Sequence, residues 1–472
     1  MNNMTKVKRN IKRLAFLFIA AFVFMVGYFS YSVYSYGARW LNNPYNPRLA
    51  SVKKNVIAGD IKDRNGMVLA TTDSDKDRVY NDSATIRKAN AHVVGDNYGQ
   101  VQTGAENFHA QYLLGMNEDF FDKVYQNFVS NTNRGNDVLL TVDANIAAAA
   151  YEAMGEYNGA VVLMNYQTGE VLAMVSKPTF DPYNVASLLE SQDMPDGLFL
   201  NRAIQSQYPP GSVFKIVTTA SALENLPNIL NDGTYNCQGQ ITLGGNAIVD
   251  YNKTVHGNQT LKQAFANSCN SYYADLSTKL SASQLEKTAK TFGFNEEFWF
   301  KDMSVVRSRA EFPNGDTNLM AWSAIGQNKD TVTPLHMCLI AGAVANDGVM
   351  MEPKLLKQVI NNQGAATVSV QPTQFRRILS SANATILKDM MAETVNNGTG
   401  TGAALRMFQA CGKTGTAEIG GDRQAHSWFV GFVDDPNHPL AIAVILEEAG
   451  TGGAYAAPVA KTVFTAAIRA DY

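Results

Sequence analysis

The chain reads as an α/β (α+β) protein: a membrane helix, then a small α+β module, then a larger domain in which a sheet carries helices on its faces. Three observations predict this. Residues Leu14 to Val33 contain no charged side chain, and roughly 20 residues at about 1.5 Å each span a hydrocarbon core of about 30 Å. The stretch from about 50 to 145 alternates short strand-like runs with polar segments. From about 146 onward, strand-like runs at both ends enclose a long helix-rich middle, which gives a layered sheet-and-helix domain.

Taken in order, residues 1–13 form a basic tail with Lys6, Lys8, Arg9, Lys12 and Arg13 and no acid among them. That asymmetry predicts a cytoplasmic N-terminus, a membrane helix over 14–36 and everything beyond it outside the cell. A cleaved signal peptide is the alternative, but the apolar stretch exceeds the usual core of about 7 to 15 residues and Ser35-Tyr36-Gly37 is a poor cleavage site. Asn42-Asn43-Pro44-Tyr45-Asn46-Pro47 reads as a linker. Within the module over 37–145, Val56-Ile57-Ala58 and Met67 to Ala70 are strand-like, and one helix is expected around Asn107 to Leu114. No chemistry is visible there, and Asp63, Arg64 and Glu106 read as interdomain ion-pair residues of a non-catalytic pedestal, dimerisation-like in kind. Residues 146–472 form the larger domain, with Pro439 to Glu447 as a core strand and Pro458 to Arg469 as a terminal helix.

Three short motifs in this domain carry chemistry. Ser212-Val213-Phe214-Lys215 follows Tyr208-Pro209-Pro210-Gly211, so Ser212 is expected to open a helix with Lys215 one turn on, beside its hydroxyl. A serine hydroxyl needs such a base, and a lysine serves as one only if burial or a second positive charge lowers its pKa. Lys413 brought alongside would supply that charge. The ordinary reading of Ser-x-x-Lys is a helix start with a solvated lysine, yet Ile216, Val217, Ala220, Ala222 and Leu223 make this a buried helix. Ser268-Cys269-Asn270 is expected in a tight loop between helices, its hydroxyl and carboxamide pointing together, although helix caps use the same residues. Lys413-Thr414-Gly415-Thr416 precedes a Gly420-Gly421-Asp422 turn and the strand Trp428 to Phe432, a hairpin. Gly415 would let a substrate backbone approach, with Lys413, Thr414 and Thr416 as carboxylate binders. A phosphate loop is excluded because Met407 stands where that motif needs glycine. Gly398 to Gly402 lacks a dinucleotide spacing and reads as a loop.

With these residues in order, the chain resembles the class B, monofunctional penicillin-binding proteins, closest to the small penicillin-binding protein A type. Further boxes share the resemblance: Ile61 to Gly66 with Val68-Leu69-Ala70, Gly135 to Asp143, Gly159 to Val162, Thr168 to Met174, Phe180-Asp181-Pro182, Gly326-Gln327 with Thr333-Pro334, and Ala345 to Gly348. The resemblance implies the fold shared by penicillin-binding proteins and serine β-lactamases, an antiparallel sheet with a helical subdomain. It implies a peptidoglycan D,D-transpeptidase, acylated on Ser212 by D-alanyl-D-alanine stem peptides and trapped there by β-lactams. Lys215 would be the base, Ser268 and Lys413 the proton relay to the leaving group, and Asn270 the holder of the peptide. Thr414, Gly415 and Thr416 would bind substrate, and the backbone N–H groups of Ser212 and Thr416 would form the oxyanion hole. No cofactor and no metal are implied. Glycan polymerisation would fall to a partner of the shape, elongation, division and sporulation family.

The net charge of −3 and the lack of a basic stripe beyond the tail exclude nucleic acid as a partner. Cys237, Cys269, Cys338 and Cys411 show neither a disulfide framework nor a metal spacing and are expected as free thiols. His426 reads as a hairpin surface residue rather than a cleft residue. A β-lactamase or β-lactam receptor would share the serine chemistry, but no Glu-x-x-Leu-Asn segment lies between Asn270 and Lys413. A dead-enzyme scaffold is disfavoured by the intact polar residues of all three motifs.

Overall fold

The protein is described by a computed structural model that covers residues 2–41, 53, 56–116, 133–231 and 233–472. The linker expected at Asn42 to Pro47 lies outside the described residues. The chain begins with a helix over Asn2–Leu41. Its stretch Met4–Ser32 is long and apolar enough to cross a membrane, and Phe16, Phe22 and Phe24 stand exposed along it. An exposed apolar surface of this extent marks a membrane or protein contact.

The larger domain is organised by a five-stranded sheet in the order Ala410–Ala417, His426–Val433, Leu440–Leu446, Gly159–Asn165, Val171–Lys177. Every pairing in it is antiparallel. Leu440–Leu446, Gly159–Asn165 and Val171–Lys177 are covered on both faces, so these strands are near-continuous apolar runs rather than alternating ones. Ala160, Val162 and Met164 enter one core while Val161 and Leu163 enter the other, as the two-residue period of a strand requires. Helices Ala144–Ala153 and Ala456–Arg469 cover the second core. Helix Pro334–Ala345, buried at every residue, covers the first. Each fully buried Leu, Ile, Val or Phe contributes about 1.5–3 kcal/mol. The helical middle includes Lys215–Asn225, Leu261–Ala266, Asn270–Thr278, Ala282–Phe292 and Thr317–Ala324.

The N-terminal module forms a six-stranded sheet in the order Ala366–Ser369, Leu356–Ile360, Asp137–Leu140, Ile61–Lys62, Val68–Thr72, Arg78–Tyr80. Two of its strands therefore come from the far half of the chain. A division at 145/146 describes the sequence order but not the sheet, because Leu356–Ile360 pairs antiparallel with Asp137–Leu140. Helix Ala84–Val94, absent from the sequence reading, lies against helix Ala144–Ala153 and strand Val171–Lys177. The helix expected around Asn107 to Leu114 is two short turns, Ala105–Phe108 and Ala110–Leu113, separated at His109. Val56 to Ala58 forms no strand; Ile57 makes one isolated bridge to Arg134.

Of the three residues expected in interdomain ion pairs, only Arg64 makes one, to Glu170 at 3.3 Å. Glu106 pairs with Arg78 inside its own module at 2.6 Å. Asp63 pairs with no cation among the described residues: its Oδ1 accepts from the backbone of Asn65 and Met67, and its Oδ2 from Ala144 N at 3.2 Å. It thus fixes a turn at Gly66 and caps the first helix of the larger domain. The stronger interdomain contact is Arg87 to Asp181, with Nη2 at 2.7 Å and Nε at 3.0 and 3.1 Å from the two carboxylate oxygens.

Candidate active site

The turn that carries Ser212 is held from three sides. Gly211 has φ +54°, and a Cβ there would stand 2.9 Å from Thr416 O, so only glycine lets the turn sit this close to the strand Ala410–Ala417. Gly326 accepts a hydrogen bond from Gly211 N at 2.8 Å. Trp428 Nε1 donates to Pro209 O at 3.0 Å. Behind the turn, Glu447 accepts from Tyr208 Oη at 2.6 Å and from Arg202 Nε at 2.9 Å. Ser212 lies in a 3-10 turn, Gly211–Phe214, and Lys215 opens the α-helix Lys215–Asn225. The helix thus starts three residues later than Ser212.

Lys215 is fully buried. Its Nζ donates to Ser268 O at 2.7 Å, to Asn270 Oδ1 at 2.8 Å and to Ser268 Oγ at 3.4 Å. It is committed to the second motif rather than to the Ser212 hydroxyl that the i+3 spacing predicts. Lys413, also fully buried, donates to Ser268 Oγ at 2.8 Å and to Thr414 O at 3.1 Å. The two ammonium groups therefore converge on one hydroxyl. Burial lowers the Lys215 pKa to about 8, opposed by Cys269 and Asp250. Burial, then the neighbouring Lys215, pushes Lys413 well below its ordinary value. Neither lysine has an ion-pair partner among the described residues, which is costly unless the groups are used.

Ser268 has φ +59°, a left-handed conformation for a non-glycine residue. The loop between helices Leu261–Ala266 and Asn270–Thr278 is pinned there. Cys269 Sγ caps the second helix by accepting from Tyr272 N at 3.3 Å. Asn270 Nδ2 donates to Val249 O at 3.0 Å, and Asp250 Oδ1 accepts from the backbone of Asn270 and Ser271. The carboxamide is thus oriented by both of its ends.

Ser212, Ser268, Asn270, Thr414 and Thr416 share the lining of one cavity of about 620 Å³. Gly415 differs from expectation: the place of its Cβ is taken by Val213 Cγ1 and Trp428 Cβ at 3.0 Å and Pro210 O at 3.1 Å. Its lack of a side chain serves packing of the serine turn, not clearance for a substrate. His426 is absent from the cavity lining; its ring lies edge-on to Tyr208 at 5.6 Å. Sequence reasoning missed Thr399, which lines the cavity and shares a 2.6 Å hydroxyl contact with Thr414. The alternation of glycine and threonine from Gly398 to Gly402 was the available signal. It also missed Asp250 and Glu447, acids whose neighbours in sequence give no hint of their place.

Comparisons with known proteins agree with one another. Residues 159–465 match the model of the penicillin-binding protein transpeptidase domain. The peptidoglycan D,D-transpeptidase PbpA of Mycolicibacterium smegmatis is 32% identical over 403 residues, covering 79% of this chain and 80% of the relative. Among solved structures, the ceftriaxone acyl-enzyme complex of penicillin-binding protein A from M. tuberculosis superposes with a TM-score of 0.79 at 28% identity, over 89% of this chain and 100% of the other. A D,D-transpeptidase domain of a peptidoglycan glycosyltransferase from Eggerthella lenta gives 0.75 at 31% identity, over 88% and 98%.

Proposed function

The chain belongs to the penicillin-binding protein transpeptidase family, and from that premise we propose how its own residues cross-link peptidoglycan stem peptides. The enzyme is a serine-type D,D-transpeptidase of cell-wall synthesis that forms an acyl-enzyme and is acylated by β-lactams. Ser212 Oγ attacks the carbonyl carbon of the penultimate D-alanine while its proton passes to the neutral Lys215 amine, which turns from Ser268 O and Asn270 Oδ1 towards the serine to take it. The peptide C–N bond breaks, and the departing D-alanine nitrogen takes a proton through Ser268 and Lys413, which already lie 2.8 Å apart. The amine of a second stem peptide then attacks the ester and releases Ser212. The backbone N–H groups of Ser212 and Thr416 hold the oxyanion. Asn270 orients the peptide, and Thr414 and Thr416 bind the terminal carboxylate, Thr414 being steadied by Thr399. A water in place of the acceptor amine would give carboxypeptidase activity from the same acyl-enzyme.

The observation that carries this reading is Ser268 Oγ held between two buried lysines beside Ser212 in one cleft. The basic residues ahead of the apolar helix support a cytoplasmic N-terminus, a single membrane span and an extracytoplasmic catalytic domain. The module over 37–145 then acts as the pedestal between membrane and site. It offers a docking face for a glycan polymerase of the shape, elongation, division and sporulation family. A fluorescent penicillin should label the protein covalently and persist for minutes or longer, and Ser212→Ala should abolish the label. Rapid release of hydrolysed drug would instead indicate a β-lactamase, and labelling that survives the substitution would overturn the site. Dimeric muropeptides formed from nascent glycan separate cross-linking from trimming.

A further inference from the structure

Cys237 ends a strand and Asp250, His256 and Cys269 lie in the loops that follow it, yet their ligand atoms all lie within 4.8 Å of one another. Pairing of strand Tyr235–Cys237 with Gly257–Gln259 sets Cys237 opposite Gly257 and so beside His256. The Cys237 Sγ to His256 Nδ1 distance is 3.4 Å. Asp250 follows strand Asn246–Val249, and its Oδ2 lies 3.3 Å from Cys237 Sγ. Cys269 enters from the N-terminus of helix Asn270–Thr278, linked to the group by Ser271 Oγ, which lies 3.3 Å from Cys269 Sγ and 3.2 Å from Cys237 Sγ.

We propose that these four side chains form a closed, tetrahedral zinc site that holds the Ser268-Cys269-Asn270 loop in place. Tetrahedral zinc, with bonds of about 2.3 Å to sulfur and about 2.0–2.1 Å to nitrogen or oxygen, sets its ligand atoms roughly 3.3–3.8 Å apart. The group is thus already near the size required. Two sulfurs and an imidazole select zinc over magnesium or calcium, which prefer all-oxygen shells. Four protein ligands fill the shell and make the metal structural rather than catalytic.

The surroundings fit thiolate and carboxylate ligands. Gly239 N donates to Cys237 Sγ at 3.4 Å and Tyr272 N to Cys269 Sγ at 3.3 Å. Asp250 Oδ1 is engaged by the backbone of Asn270 and Ser271, while Oδ2 faces Cys237 Sγ at 3.3 Å and accepts from Ser271 Oγ at 2.6 Å, a hydroxyl that would remain as an outer contact to the bound carboxylate. Such outer contacts orient ligands in metal sites. Cys237, Asp250 and Cys269 are buried, and Asp250 makes no salt bridge among the described residues, the Lys215 ammonium acting on it through space. A divalent cation would add positive charge directly beside this carboxylate and the two thiols. Cys269 lies between the two polar residues of the second motif, so the metal would act on the site as a positioning element through Ser268 and Asn270. It would offset the left-handed strain at Ser268.

The test uses the full-length chain in detergent, with zinc itself as probe. Purified protein is expected to carry about one zinc per chain, and Cys237→Ser and His256→Ala to lower the affinity at least about tenfold. Cobalt exchanged for the zinc should show thiolate charge transfer and the visible bands of a tetrahedral site. These readouts need no activity, so their failure is distinguishable from failure of the acyl-transfer reading, on which only the last arm rests. In that arm, a chelator slows penicillin acylation and zinc, but not magnesium, restores it. A wild-type chain that binds neither zinc nor cobalt would overturn the proposal even if the variants do not fold. So would variants that keep wild-type zinc content, or a Cys237–Cys269 disulfide in the protein as isolated from cells.

Discussion

Lys215 and Lys413 are fully buried with no carboxylate partner among the described residues, a costly arrangement. Lys215 holds its proton less tightly in the folded state, at about 8, than at its ordinary 10.5. The unfolded chain therefore binds more protons across that interval. The burial penalty is fully present below about 8 and is relieved as pH rises towards 10.5. The same shift sets the activity. With a base titrating at about 8, the neutral fraction rises from about a tenth at pH 7 to about nine tenths at pH 9. The penicillin acylation rate should climb roughly tenfold across that range, and a flat profile would remove Lys215 as the base. Lys413→Met exchanges a buried cation for an apolar chain of similar length. It should raise thermal stability by about 1–2 kcal/mol while slowing acylation at least about 100-fold, as read by melting and stopped-flow labelling. At this scale the sequence was most legible for residues whose type is itself chemical, such as Ser212, Lys215, Ser268 and Lys413. Thr399, Asp250 and Glu447 were not legible, because each acquires its role only when a distant segment packs beside it. Gly415 was misread for the same reason: Pro210 and Val213, not a substrate, fill the space beside it.

Elements were legible where one physical pattern ran uninterrupted. Leu440–Leu446 and His426–Val433 read as strands because both faces are buried and the runs are apolar. Helix Ala84–Val94 did not, because its buried face includes Asn90 and His92 beside Ala89, Ala91, Val93 and Val94. His92 earns burial by a 2.8 Å contact of its Nε2 with Leu198 O, a partner no local pattern reveals. Ser212 was placed at a helix start, whereas the proline pair and Gly211 build a 3-10 turn first. That turn depends on glycines at two close approaches. A Cβ at residue 326 would lie 2.1 Å from Gly211 O, at a φ of +78°. Gly326→Ala should therefore push the turn away from the strand Ala410–Ala417, cost about 1–3 kcal/mol and depress penicillin labelling. Gly364→Ala, at a φ of +81° but with open space around it, makes the control. It shares the backbone strain and lacks the collision, so equal loss of labelling in both variants would show that the contact with Gly211 is unimportant.

Across the whole molecule the chain closes on itself, and this was the least legible level. Pairing between Asp137–Leu140 and Leu356–Ile360 joins positions far apart in sequence, and nothing in either short run announces the other. Strand Leu356–Ile360 is internal, with Ala366–Ser369 on its other side. Val359 is fully buried in the resulting core, and Lys357 Nζ reaches Arg64 O at 3.5 Å. Removing residues 1–145 would leave one side of that strand with unpaired backbone groups and uncover its apolar face, the arrangement that recruits other chains. It would also remove Arg87 from Asp181, a partly buried contact, leaving a carboxylate without its partner. A chain starting at residue 146 should therefore aggregate or lose penicillin labelling. A chain starting at residue 53, which keeps the described strands of the module and lacks the exposed apolar helix, should be soluble without detergent and label as the full-length protein does. Size-exclusion chromatography with fluorescent penicillin reads both. If the shorter chain instead ran as a soluble, fully labelled monomer, the shared sheet would be a docking contact rather than part of the catalytic domain's fold.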